Sequence, residues 1–111
     1  MKSNSKLMKK WIKQYFNLVY HYACFICNDR SQVDRVVDRT FNSMSENTLK
    51  LKNKNPDEIK EWVLQMTRYY ILKEIYDSLE QGENISSKYN SPDTLDPERI
   101  RKLIKQYEEM R

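Results

Sequence analysis

The stretch from Asn55 to Leu79, NPDEIKEWVLQMTRYYILKEIYDSL, decides the fold. Asn55 offers a side-chain acceptor for a helix N-terminus, and Pro56 suits the first helical position, where the backbone N–H has no helical partner to lose. Asp57 and Glu58 complement the positive end of the helix dipole. Behind this start, Ile59, Trp62, Val63, Met66, Tyr69 or Tyr70, Leu72, Ile75, Tyr76 and Leu79 recur at the spacing of one helical face. The pattern predicts a long amphipathic helix.

The same reading extends toward the N-terminus. Leu7, Met8, Trp11, Ile12, Tyr15, Phe16, Val19, Ala23, Ile26 and Cys27 predict a first helix from about Ser5 to Cys27, with Lys9, Lys10, Lys13, Gln14 and Asn17 on its wet face. Asn28-Asp29 breaks it. A second helix starts at Ser31, whose hydroxyl is read as the cap, with Asp34 in the place of a capping-box acid. Val33, Val36, Val37, Thr40, Phe41 and Met44 form its apolar stripe. Asp34, Arg35, Asp38, Arg39 and Asn42 are left to solvent. Leu49 to Asn55 reads as a helix end followed by a basic loop, because its alternation is short and no partner strand exists. Beyond the opening stretch, Gln81 to Leu95 is polar. Asp96-Pro97-Glu98 repeats the cap logic and opens a short helix through Ile100, Leu103, Ile104 and Tyr107.

The expected fold is therefore all-α, a small bundle of three main helices plus a short C-terminal helix. Residues 1–80 form the folded domain, 81–95 a linker and 96–111 the last helix. Composition agrees. Gly82 is the only glycine in 111 residues, whereas tight β-hairpin turns draw heavily on glycine. That length allows one domain with one modest core. The formal net charge of +4 is compatible with a polyanionic partner. No run approaches the roughly 20 apolar residues of a membrane span, and the Met1-Lys2-Ser3-Asn4-Ser5-Lys6 start lacks the apolar run of a secretory signal. Cys24 and Cys27 cannot build a disulfide framework. The chain reads as cytoplasmic, without a membrane partner.

Catalytic parts are missing. Phosphate-binding loops need glycines that are absent. His21 is the only histidine and shares its helix with both cysteines, which gives no usable nucleophile–base order. Adjacent acids such as Glu108 and Glu109 read as helix-end charge. His21, Cys24 and Cys27 at i, i+3, i+6 could be weighed as soft-metal ligands. A structural zinc site needs a fourth ligand, and this spacing progresses around the helix. The cysteines read instead as small apolar residues. A binding domain is expected, with no catalytic residue, metal or cofactor.

Two motifs give that expectation a direction. Val33-Asp34-Arg35-Val36-Val37-Asp38-Arg39-Thr40-Phe41 is followed, after a variable loop, by Glu61-Trp62-Val63-Leu64-Gln65-Met66-Thr67-Arg68. Together they resemble conserved region 2 of bacterial sigma factors of the extracytoplasmic-function group, whose pattern runs roughly AEDLVQETF and then WLyrIarN. The resemblance covers roughly Trp11 to Leu79. It implies a promoter-melting domain in which the first motif docks on the clamp helices of core RNA polymerase. The second motif and the loop before it would bind the single-stranded −10 promoter element. Carried over by position, polymerase contact falls on Asp34, Arg35, Asp38, Arg39 and Asn42. DNA contact falls on Lys50, Lys52, Lys54 and Asn55 in the loop, and on Lys60, Arg68, Tyr69 and Lys73 in the third main helix.

The departures are specific. Arg35, Asp38 and Arg39 stand where the family has Asp, Gln and Glu, and Tyr69 and Lys73 stand where it has Asn and Asp. Like charges across an interface help to reject partners. These changes point to an alternative, a sigma-like protein-interaction module whose partner is a second sigma subunit, an anti-sigma protein or the polymerase. Asp96-Pro97-Glu98-Arg99-Ile100 resembles the start of the family's second, −35-reading domain. Three readings follow: a fragment, a stand-alone domain, or half of a split sigma factor. Trp62 shares a stripe with Ile59 and Met66, so it is expected in the core. Tyr69 and Tyr70 sit about 100° apart on a helix, so one of them, Tyr69, is expected to be accessible.

Overall fold

A computed structural model describes residues 2–83, 88–89 and 97–109. Five helices follow one another: α1 (Lys2–Ile26), α2 (Arg30–Glu46), α3 (Thr48–Leu51), α4 (Pro56–Glu80) and α5 (Pro97–Glu109). Helices α1, α2 and α4 pack on one another as a bundle, and α5 lies along α4. Among the described residues there is no strand, only an isolated antiparallel bridge between Cys27 and Tyr89. The all-α expectation holds.

Each helix is placed by its apolar spacing. In α1 the buried residues are Trp11, Tyr15, Val19 and Ala23, continued just past the helix by Cys27. This strict four-residue ridge is the kind that seats in the groove of a neighbouring helix. It also corrects the expected stripe. Ile12 and Phe16 lie about 100° round from the ridge and remain 40% and 41% exposed. Helix α2 contributes Val33, Val36, Val37, Phe41 and Met44, as its pattern predicts.

Helix α4 is central. From Met66 to Ile75 only Arg68 and Lys73 retain appreciable exposure. A helix buried nearly all round needs partners on opposite sides, and α4 has α1 and α2 on one side and α5 on the other. Tyr69 and Tyr70 are therefore both buried, contrary to the expectation that Tyr69 is accessible. Adjacent side chains can both be inside when the helix itself is covered on two flanks.

The helix ends follow local chemistry. At α4 the Asn55 side chain accepts from the Glu58 backbone N–H at 2.9 Å while the Glu58 side chain reaches back toward the Asn55 N–H, a complete capping box. At α2 the expected Ser31 cap is replaced by Asp29, whose Oδ1 accepts from both the Ser31 N–H (2.9 Å) and the Ser31 hydroxyl (2.8 Å). A carboxylate two residues upstream satisfies the free N–H and holds negative charge at the positive helix end.

The segment after α4 joins the core. Tyr89 is 2% exposed and lies within hydrogen-bonding reach of the Ser78 hydroxyl, at 3.2 Å, while the Asn28 N–H donates to the Lys88 carbonyl at 2.8 Å. Ile100 of α5 is fully buried in the same core cluster. The expected linker thus contains at least one anchor residue. Asp96, the expected cap of α5, lies outside the described residues.

Candidate nucleic-acid interface

The expected basic loop is partly a helix. α3 makes a single turn between α2 and α4, held by the fully buried Leu51 and by the Thr48 hydroxyl donating to the Ser45 carbonyl at 2.7 Å. With Leu51 turned inward, Lys50 and Lys52 on either side are exposed. Lys54 sits 3.8 Å from the Glu58 carboxylate, and Asn55 is exposed while capping α4.

Lys50 and Lys54 share an open cleft of about 250 Å³ with Glu58, Glu61, Trp62 and Gln65. Trp62 is 7% exposed, so it packs in the core as its stripe predicts. Its indole N–H, however, is buried and has no hydrogen-bond partner in the protein. Buried polar groups are nearly always paired, and an unmade bond there costs about 1–3 kcal/mol. The cleft thus combines two cations and an amide with two carboxylates, while the indole N–H of Trp62 lies buried beneath it, out of reach of solvent. Glu58, a helix-start acid, and Glu61 and Gln65 of the second motif are not among the expected contact residues. Glu58 and Gln65, four residues before and three after Trp62 on α4, carried the available signal; Glu61 lies on the same face as both, three residues after Glu58 and four before Gln65.

A second cleft, about 470 Å³, brings Lys60 and Arg68 together with Tyr22 of α1 and Tyr107 of α5. Burial raises the Tyr22 phenol pKa, opposed by Arg68 and assisted by Tyr107. Both phenols are half-buried, and the raised pKa keeps the Tyr22 hydroxyl a protonated donor at neutral pH. The sequence motifs contain neither tyrosine, because the cleft forms only where three helices meet.

Tyr69 does not belong to either opening. It is 0% exposed, its hydroxyl donates to the Glu108 carboxylate of α5 at 3.1 Å, and the Lys73 ammonium lies 5.4 Å from its ring centre. Its expected accessibility is corrected: α5 covers it. Lys73 also lines a cleft on the other flank of α4 with Arg39, Asn42 and Glu46 of α2. The eight residues expected at DNA are thus divided among the α3 turn, the α1–α4–α5 cleft and the α5-covered flank.

The outer face of α2 carries Asp34, Asp38 and Asn42, all exposed. Arg35 and Arg39 turn toward α4. The Arg35 Nε donates to Glu74 Oε1 at 2.8 Å, and the Arg39 Nη1 approaches Glu74 Oε2 at 3.4 Å. Glu74 is 5% exposed. The hydrogen bond to Glu74 raises the Arg35 pKa, against the opposing effect of desolvation. The two arginines that depart from the sigma pattern thus balance a buried acid. Glu74 was legible only as a carboxylate inside the apolar run Ile71-Leu72-Lys73-Glu74-Ile75.

His21 and Cys24 are exposed, while Cys27 is buried and its thiol is pushed up to about 12, chiefly by desolvation. Among the described residues no group of three His, Cys, Asp or Glu side chains is arranged to hold a metal ion. No described helix is long and apolar enough to cross a membrane. Comparison with family models, curated proteins and solved structures finds no match to this chain.

Proposed function

We propose that this chain is a non-enzymatic, sigma-region-2-like domain of transcription initiation that captures single-stranded DNA of the −10 promoter element and docks on core RNA polymerase. The observation that carries the reading is the cleft beside the α3 turn. Lys50 and Lys54 line it together with Gln65 and Trp62. Lysines contribute affinity for phosphates, and the Gln65 amide can both donate to and accept from base edges. The resemblance of the two motifs gives the polymer and the partner.

The strand-binding step is tested with a fluorescent single-stranded oligodeoxynucleotide and a Lys50→Gln/Lys52→Gln/Lys54→Gln variant. Binding by the parent and its loss in the variant supports the reading; equal binding by both removes the α3 turn from it. Docking is tested by co-purification with core RNA polymerase. The informative variant is Asp34→Lys/Asp38→Lys, because these side chains are exposed on α2. Changing Arg35 or Arg39 would instead disturb Glu74.

A second reading follows from the Arg35–Glu74–Arg39 cluster. With both arginines engaged internally, the α2 face is largely Asp34, Asp38 and Asn42. Such a surface also suits a sigma-like interaction module whose partner is a basic protein surface on a second sigma subunit, an anti-sigma protein or the polymerase. Polymerase capture without any strand binding by this chain would favour it.

A further inference from the structure

We infer that α5 is an acidic-ended helical cover that competes with a nucleic-acid strand for the flank of α4 carrying Arg68, Tyr69 and Lys73. This inference rests on the DNA-binding reading above and adds its regulation.

Three observations converge on it. First, α5 covers the residues of α4 that the DNA reading assigns to the strand: Glu108 accepts from the Tyr69 hydroxyl, and Tyr107 stands in the cleft with Lys60 and Arg68. Second, the covering end is acidic. Glu108 and Glu109 close a helix whose earlier turns are basic, and the Glu108 carboxylate accepts from the Tyr69 hydroxyl, whose ring lies beside the Lys73 ammonium. Third, α5 is held chiefly by one neighbour, α4, whereas α1, α2 and α4 each pack against at least two helices. Among the large apolar residues of α5 only Ile100 is fully buried, while Leu103, Ile104 and Tyr107 stay partly exposed. α5 has 13 residues, a length at which an isolated helix is marginal in water. Once lifted, it loses the packing that sustains its own hydrogen bonds, so lifting and local unfolding go together.

Competition follows from covalent attachment. A tethered helix meets its site at high effective concentration, so a strand binds only as far as its affinity exceeds that of the cover. The apparent dissociation constant is raised by the inverse of the fraction of molecules with α5 displaced.

The test uses the full chain and a single-stranded oligodeoxynucleotide, with hydrogen exchange and fluorescence anisotropy as readouts. Strand binding to the parent chain should accelerate exchange of the α5 amides while those of α1 remain protected. A Leu103→Ser/Ile104→Ser variant, neutral in charge and sparing Ile100, should expose α5 to exchange without DNA. It should also bind the strand roughly fivefold to tenfold more tightly. A strand that binds while α5 protection is unchanged or increased overturns the cover and leaves the DNA reading standing. So does a variant with exchanging α5 and unaltered affinity. Absence of strand binding by both chains, with α5 shown to be open in the variant, overturns the DNA reading and the competition with it.

Discussion

Glu74 shows how much one side chain can redirect its neighbours. A carboxylate that is 5% exposed needs compensating hydrogen bonds, and Arg35 and Arg39 supply them while remaining half-exposed themselves. The asymmetry has a measurable consequence. Arg35→Met leaves Glu74 buried with only the longer Arg39 contact, and should lower the unfolding free energy by about 2 kcal/mol. Glu74→Leu frees two arginines that already reach water, and should cost less. Urea denaturation of the two variants measures the order; the reverse order would mean that the cluster serves something other than the buried acid. Asp29 gives a pH signature. Hydrogen bonds from Ser31, first from its hydroxyl and then from its backbone N–H, hold its carboxyl below its ordinary 3.8. A folded-state pKa below the unfolded one stabilises fully above that ordinary value, and the gain is lost as pH falls through the lowered value. Asp29→Asn keeps a competent cap without the titration. Its melting temperature should therefore fall less steeply than the parent's as pH drops below 3.8. Glu83, also lowered chiefly by Lys88, leaves the variant some acid sensitivity.

At the scale of elements, the α3 turn and the start of α4 position the lysines. Leu51 is the anchor of the turn, fully buried between two exposed lysines. Leu51→Ala should destabilise the fold by about 3 kcal/mol through lost burial and the cavity left behind. Asn55→Ala breaks the capping box and should cost about 1 kcal/mol. Chemical denaturation reads both. Near-equal costs would show that the turn collapses around the smaller side chain. The helices were legible because their signals are local: caps act within one turn, and a three-to-four-residue period reports one face. α3 is not separable in the sequence from the end of the second helix, because a one-turn helix leaves no period of its own to detect. The covered flank of α4 was equally hidden. Its nearly continuous burial from Met66 to Ile75 blurs the stripe that singles out one face.

For the whole molecule, the net charge of +4 is modest, so strand affinity on the proposed reading depends on where cations sit. Lys50 and Lys54 share one cleft, Lys60 and Arg68 another. Each phosphate contact on a single strand contributes about 0.7 to the slope of log affinity against log salt. Neutralising Lys50, Lys52 and Lys54 together should therefore flatten that slope by about 2. Anisotropy titrations across a potassium chloride series measure it, and an unchanged slope would show that these lysines meet no phosphate.

The amino-acid order by itself determined the helical class, the long helices, the cap at Asn55 and the inward place of Trp62. Each of these depends on residues within a turn or two of one another. Only the tertiary structure decided that Arg35 and Arg39 serve Glu74, 39 and 35 residues away. It also decided that Tyr69 lies beneath Glu108, 39 residues on, and that Tyr89 belongs to the core. Periodicity states that a helix has an apolar face and where that face begins. Which further faces are covered depends on how neighbouring helices dock, and that is a property of the assembled bundle rather than of any one segment.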